Sequence, residues 1–175
     1  MGVTWNQVFV TWYGYDDNSC QTEAQHTCAN IAYAMSDGFP TKHDSATEGK
    51  GTYDDPVTFA ASQQGDAETF GGATINPGTV IYYPKVKKYF MMEDSCLECT
   101  QQWDANKLLH VDLWMGPSMP PAGQTMFGQP LIDCEDNSTD SSADAPTDTI
   151  IVDPPSNLEV SQTMLFTGTQ CNVPQ

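Results

Sequence analysis

Hydrophobic and polar residues alternate over short stretches of this chain, and turn residues bound those stretches before any helical period is established. Residues 8–13 (Val-Phe-Val-Thr-Trp-Tyr) predict a strand that ends at Gly14 in an aspartate-rich loop. The spacing of Cys20 and Cys28 suits a small closed loop, followed by a helical turn over residues 29–34. Residues 36–56 read as a long exposed loop, a length that favours a functional role. A short strand follows at 57–60. Asn76-Pro77-Gly78 has the residues a type II turn needs, and it launches a strand over 79–83 that pairs with another over 88–94. Residues 107–115 predict the next strand, and 149–152 the last. Between them, proline, glycine, serine and aspartate predict loop, with 136–144 fully solvated. No internal repeat or linker divides the chain.

Composition sharpens this to a mostly β single domain over residues 1–175. It has 13 glycines and 12 prolines, too many breaks for long helices, yet 39 % hydrophobic residues, enough for a core. With 23 acidic against 6 basic residues, a formal charge of −17, the chain lacks what a nucleic-acid binder uses to neutralise phosphates. An anionic membrane surface is disfavoured for the same reason. No stretch approaches a membrane span, and no apolar leader opens the sequence, which reads as a mature form. A soluble monomer is expected.

Six cysteines (Cys20, Cys28, Cys96, Cys99, Cys134 and Cys171) form an even set, which predicts disulfides and an extracellular setting. Cys171 pins the tail, with Cys134 a suitable partner. Cys96-Leu-Glu-Cys99 has zinc-ligand spacing but lacks a second pair. The aspartates of 136–144 lack the turn glycine and terminal glutamate of a calcium loop. No metal or cofactor is expected. Asn137-Ser138-Thr139 is an N-glycosylation sequon.

The sharpest chemical signal lies in 108–115. Leu109, Val111, Leu113 and Met115 alternate inward, which leaves His110, Asp112 and Trp114 together on what should be an open outer face. A carboxyl that moves protons beside an indole that can cover a pyranose ring suits a sugar site. Glu93 and Asp94 point to opposite faces, so one of them, Asp94 for preference, can join Asp112. Asp16 and Asp17 follow the first strand. Nucleophile elbows, phosphate loops and dinucleotide fingerprints are absent.

These motifs carry a resemblance. Thr11-Trp-Tyr-Gly14 followed by Asp16-Asp17, with His110-Val-Asp-Leu113 downstream, resembles the signatures of expansins and of glycoside hydrolase family 45 endoglucanases. Gly78-Thr79, Tyr82-Tyr83-Pro84, Glu93-Asp94 and Asp112-Leu113-Trp114 are similar in order to the bacterial three-aspartate domain and the barrel of membrane-bound lytic transglycosylase A. Together they look most like small secreted fungal proteins of this type, including muramidases. The resemblance implies a six-stranded double-psi β-barrel with long loops and disulfides, its core at about residues 8–116 and residues 117–175 an extension. It assigns the general acid to Asp112. The family-45 base position falls on Tyr15 here, so Asp16 or Asp17 must serve. The three-aspartate pattern expects a further acid near Ala61-Ser62, where this chain has none. Apart from the resemblance, Trp12, Tyr13 and Trp114 are candidate sugar platforms, and His110 shares the Trp114 face as a further candidate for substrate binding.

The expected function is therefore a secreted muramidase that cuts the β-1,4 bond of peptidoglycan by carboxylate catalysis. A lytic-transglycosylase route needs only one acid/base group and stays open. The alternatives are a non-catalytic, expansin-like wall binder and a β-1,4-glucanase.

Overall fold

The computed structural model describes residues 2–18, 28–62, 68–70 and 73–174. Six strands close a barrel in the order β1 (Val3–Tyr13), β7 (His110–Trp114), β2 (Val57–Ser62), β6 (Lys88–Cys96), β5 (Val80–Tyr83) and β8 (Asp148–Val152). A separate hairpin joins β3 (Glu68–Phe70) to β4 (Ala73–Ile75). Among the described residues, two α-helices, α1 (Leu97–Asn106) and α2 (Gln129–Ser138), and a single 3-10 turn (Met35–Asp37) lie outside the barrel sheet. Mostly β architecture is thus observed.

Each strand carries its own reason. Val8, Val10 and Trp12 of β1 are all buried, the period-two face expected of a strand against a core. β1 is longer than expected because it serves two partners. Its first half pairs antiparallel with β8, and its second half runs parallel to β7. A register shift between Asn6 and Val8, where Gln7 has a φ of 61°, separates the halves. β5 and β6 form the expected antiparallel pair, Tyr83 opposite Lys88. The type II turn before β5 is also present: the Thr79 amide donates to the Asn76 carbonyl at 2.8 Å. Gly78 has a φ of 89°, and a Cβ there would lie 2.4 Å from the Pro40 carbonyl oxygen.

Several expectations need correction. The barrel does not end near residue 116, because β8 fills the gap between β5 and β1. The loop expected from 116 to 148 contains α2, and the solvated segment over 136–144 begins inside that helix. Leu131, Cys134, Glu135 and Ser138 are its buried side, a helical spacing hidden by polar composition. Residues 29–34 form no helical turn. Their amides are drawn to β6 instead: Ala32 donates to the Asp94 carboxylate and Tyr33 to the Glu93 carbonyl.

Disulfides join Cys96 to Cys99 and Cys134 to Cys171. Cys28 is also disulfide-bonded. Cys20 lies outside the described residues. Asn137 of the sequon is exposed on α2.

Candidate active site

Three strand registers place the chemistry. Thr11 of β1 is level with Asp112 of β7, Asp112 with Ala60 of β2, and Ala60 with Asp94 of β6. A row of four residues therefore crosses the barrel wall with two acids in it. Ala60, small and buried, separates them. A register shift opposite Phe59 and Ala60 of β2, where β6 carries Glu93 as an extra residue, brings Asp94 to that level.

Above this row lies a cleft of about 330 Å³. Thr11, Tyr13, Asp17, Ser95, Glu98 and Asp112 are among the residues that line it. Asp112 is half-buried at its floor. Burial, with the charges of Asp17, Glu98 and Asp94 adding to it, pushes the Asp112 carboxyl up to about 7. The neighbouring Thr11 hydroxyl opposes that rise when it donates to the carboxylate.

Asp94 is buried more deeply. It accepts the amides of Ala32 and Ser95 at 2.9 Å each and the Tyr13 hydroxyl at 3.1 Å. Desolvation still raises it to about 6. Its contacts suit a fixed charge that acts on Asp112 through the field.

The paired aspartates after β1 part company. Asp16 accepts the amides of Phe127 and Gly128, which ties two loops together. Asp17 turns into the cleft, where the Gly14 amide donates to it at 2.8 Å. Burial raises Asp17, while the Gly14 amide and a hydrogen bond from Glu135 work the other way. Glu135, on α2, had no signal in the sequence beyond its place next to Cys134. It is buried, and desolvation followed by the charges of Asp17, Asp112 and Asp16 pushes it up to about 10. Glu135 is therefore a neutral carboxylic acid near pH 7, and it gives its proton to the hydrogen bond with Asp17. Thr11, marked in the sequence only as the start of a motif, and Glu98, which had no signal there, also line the cleft.

The open outer face expected of β7 is corrected. β7 is covered on both faces, so His110 and Trp114 are 2 % and 0 % exposed. The Trp114 indole packs edge-on against Tyr13 and donates to the Gly116 carbonyl at 2.7 Å. Trp12 reaches the cleft wall, but its ring packs on Tyr83 and Phe90 and its N–H donates to the Ser138 carbonyl. Tyr13, also mostly buried, lends an edge to the cleft. The inward alternation of Leu109, Val111, Leu113 and Met115 does hold, for all four are buried.

Comparison with known proteins adds a family. A family model described as the DDB_G0273701 N-terminal domain matches residues 5–172. The chain belongs to that family. The matched segment of the DDB_G0273701 N-terminal domain contains Thr11, Asp17, Asp94, Asp112 and Glu135 together with α2 and β8. An uncharacterized protein of Dictyostelium discoideum is 37 % identical over 159 residues, which cover 86 % of this chain. The chain spans about 61 % of that relative's length. No solved structure matches the chain.

Proposed function

We propose that this chain is a secreted glycoside hydrolase, a muramidase acting on the β-1,4 bond of peptidoglycan, built on a double-psi β-barrel. The observation that carries this is Asp112 at the floor of an open cleft, held protonated near neutrality, with a second acid, Asp17, lining the same space. Two parallel pairings, β1 with β7 and β2 with β6, inside a closed six-strand ring support the double-psi assignment. The disulfides support an oxidising, extracellular setting.

In this mechanism Asp112 donates its proton to the glycosidic oxygen as the bond to the anomeric carbon breaks. Asp17 accepts a proton from the water whose oxygen forms the new bond. Asp112 leaves the step as carboxylate and Asp17 as acid, and solvent restores both. Burial keeps Asp112 protonated, and the charges of Asp17, Glu98 and Asp94 add to it. Asp16 takes no part, since both its oxygens hold backbone amides. A base in the cleft favours hydrolysis over a transglycosylase route, which would need none.

The test is a reducing-end assay on peptidoglycan and on a soluble β-1,4-glucan, with wild type and Asp112→Asn, from about pH 3 to 8. Wild type should cut peptidoglycan, best in acid, where a chain of formal charge −17 repels an anionic wall least. Activity should fall above about pH 7 as Asp112 ionises. Asp112→Asn should lose about 10²-fold or more with its circular dichroism unchanged. Cleavage of the glucan alone would transfer the mechanism to a glucanase. Wall binding with no new ends on either polymer would leave an expansin-like binder.

A further inference from the structure

A line of side chains runs from the outer surface of α1 to the catalytic candidate. The Gln102 amide nitrogen donates to Glu98 Oε1 at 2.9 Å, one helical turn away. That bond fixes which way the Gln102 amide faces, because a carboxylate offers no hydrogen to the amide oxygen. Gln102 Oε1 is left to face His110 Nδ1 at 2.8 Å. An amide oxygen can only accept, so Nδ1 carries the hydrogen. His110 is buried, and burial lowers it to about 4, so the ring is neutral and Nε2 is bare. Nε2 stands 2.6 Å from Thr11 Oγ1, whose other neighbour is Asp112 Oδ1 at 2.7 Å.

Thr11 has one hydrogen to share between two acceptors, His110 Nε2 and Asp112 Oδ1, and where the bare nitrogen takes it the Asp112 contact needs a new donor. Asp112 Oδ1 can then complete its contact with Thr11 only by donating, that is, as a carboxylic acid. Were Asp112 ionised, it and Nε2 would compete for the same hydrogen, and one short contact would become a meeting of lone pairs.

We propose that Glu98, Gln102, His110 and Thr11 form a hydrogen-bond relay of fixed direction that holds Asp112 as the acid. Gln102 and Glu98 are positioning residues, because they act through His110 and Thr11. The relay rests on Asp112 being the proton donor, and it adds the device that keeps it loaded. It works together with the charges that face Asp112 from elsewhere, Asp17 after β1, Glu98 on α1 and Asp94 on β6, while Glu135 on α2 and the Tyr13 hydroxyl face the same group as neutral acids. The three charges favour the protonated form, and the relay adds a direction to the field.

The test is nuclear magnetic resonance on the intact chain. Nitrogen-15 shifts of the His110 ring report its tautomer, and carbon-13 shifts of the Asp112 carboxyl report its titration. In wild type His110 should be the Nδ1–H form between about pH 5 and 8, with Asp112 titrating near 7. Gln102→Glu sits on the half-exposed side of α1 and places a carboxylate against Nδ1. It should protonate both ring nitrogens, so that Nε2–H donates to Thr11 and Thr11 to Asp112. The Asp112 midpoint should then fall by about one pH unit or more, and the alkaline limb of any cleavage profile should follow. Glu98→Gln frees the amide to turn over, and a mixture of tautomers should appear. An Nε2–H ring in wild type, or an Asp112 midpoint unmoved in Gln102→Glu, would overturn the relay. Relay signatures in a protein that cuts neither polymer would sink the hydrolase proposal and leave the relay standing.

Discussion

Glu135 shows how much a single buried proton can matter at the scale of one residue. Ionised, it would set a desolvated charge beside Asp17; neutral, it supplies the hydrogen that Asp17 accepts. Its Oε1 is buried with no donor in reach among the described residues, as suits a carboxyl kept in its acid form. Glutamine has nearly the same shape and a permanent hydrogen to give. Glu135→Gln is therefore expected to leave stability within about 1 kcal/mol of wild type and to preserve cleavage. Glu135→Ala removes the donor and opens a cavity, at a cost of about 2–4 kcal/mol. It should also move the acid limb of the pH profile upward, because Asp17 loses a bond that favours its ionised form. Thermal melts and pH profiles of the two variants measure both effects. Equal damage from glutamine and alanine would mean that Glu135 works as an anion.

At the scale of elements, α2 carries Glu135 to the cleft, and Cys134 anchors the helix through its disulfide. The bond to Cys171 spans 37 residues of chain and ties the tail across the helix. In the loop-entropy account, replacing both cysteines by alanine should cost about 3–4 kcal/mol. Denaturant melts should show that loss, and the Asp17 titration should move with it as α2 loosens. The Cys134–Cys171 pair was legible in the sequence, as were β2, β5, β6, β7 and β8, whose apolar runs sit between strong turn signals. α2 was not. Its buried side includes a serine and a protonated glutamate, so polar letters masked a helical period. The outer face of β7 failed for a related reason. Alternation told inside from outside correctly for Val111 and Leu113, but nothing local reveals that Gln102 of α1 and Phe9 meet His110 and that Tyr13 packs on Trp114. Asp112 was legible because a motif marks it. Its support, Thr11 on β1, Glu98 and Gln102 on α1 and Glu135 on α2, comes from three elements that only the closed ring brings together.

Across the whole molecule, the acids that suit the cleft for chemistry load the fold with protons, and that sets its response to pH. Asp112, Asp94, Asp17, Glu48 and Glu135 all have folded values raised above those of an unfolded chain. Each binds its proton more tightly in the native state, so its contribution is present in acid and is lost as pH climbs through the folded value. His43 acts with the same sign. Its ring lies between Glu93 at 2.8 Å and Asp55 at 3.3 Å, which raises it above 6.5, so its gain is full below that value and fades above the raised one. His110, lowered to about 4, opposes them between 4 and 6.5. Five acids and one histidine outweigh it. Stability should therefore peak in mild acid and decline toward pH 8, contrary to a protein whose carboxylates are held by cations. Asp112→Asn isolates one contribution. An amide cannot ionise, so the variant should be more stable than wild type at pH 8, by about 1–3 kcal/mol after allowing for solvent at the cleft floor, and no more stable near pH 4. Melting curves of both proteins at the two pH values decide it, and a gain of equal size at pH 4 would trace to packing in place of the proton.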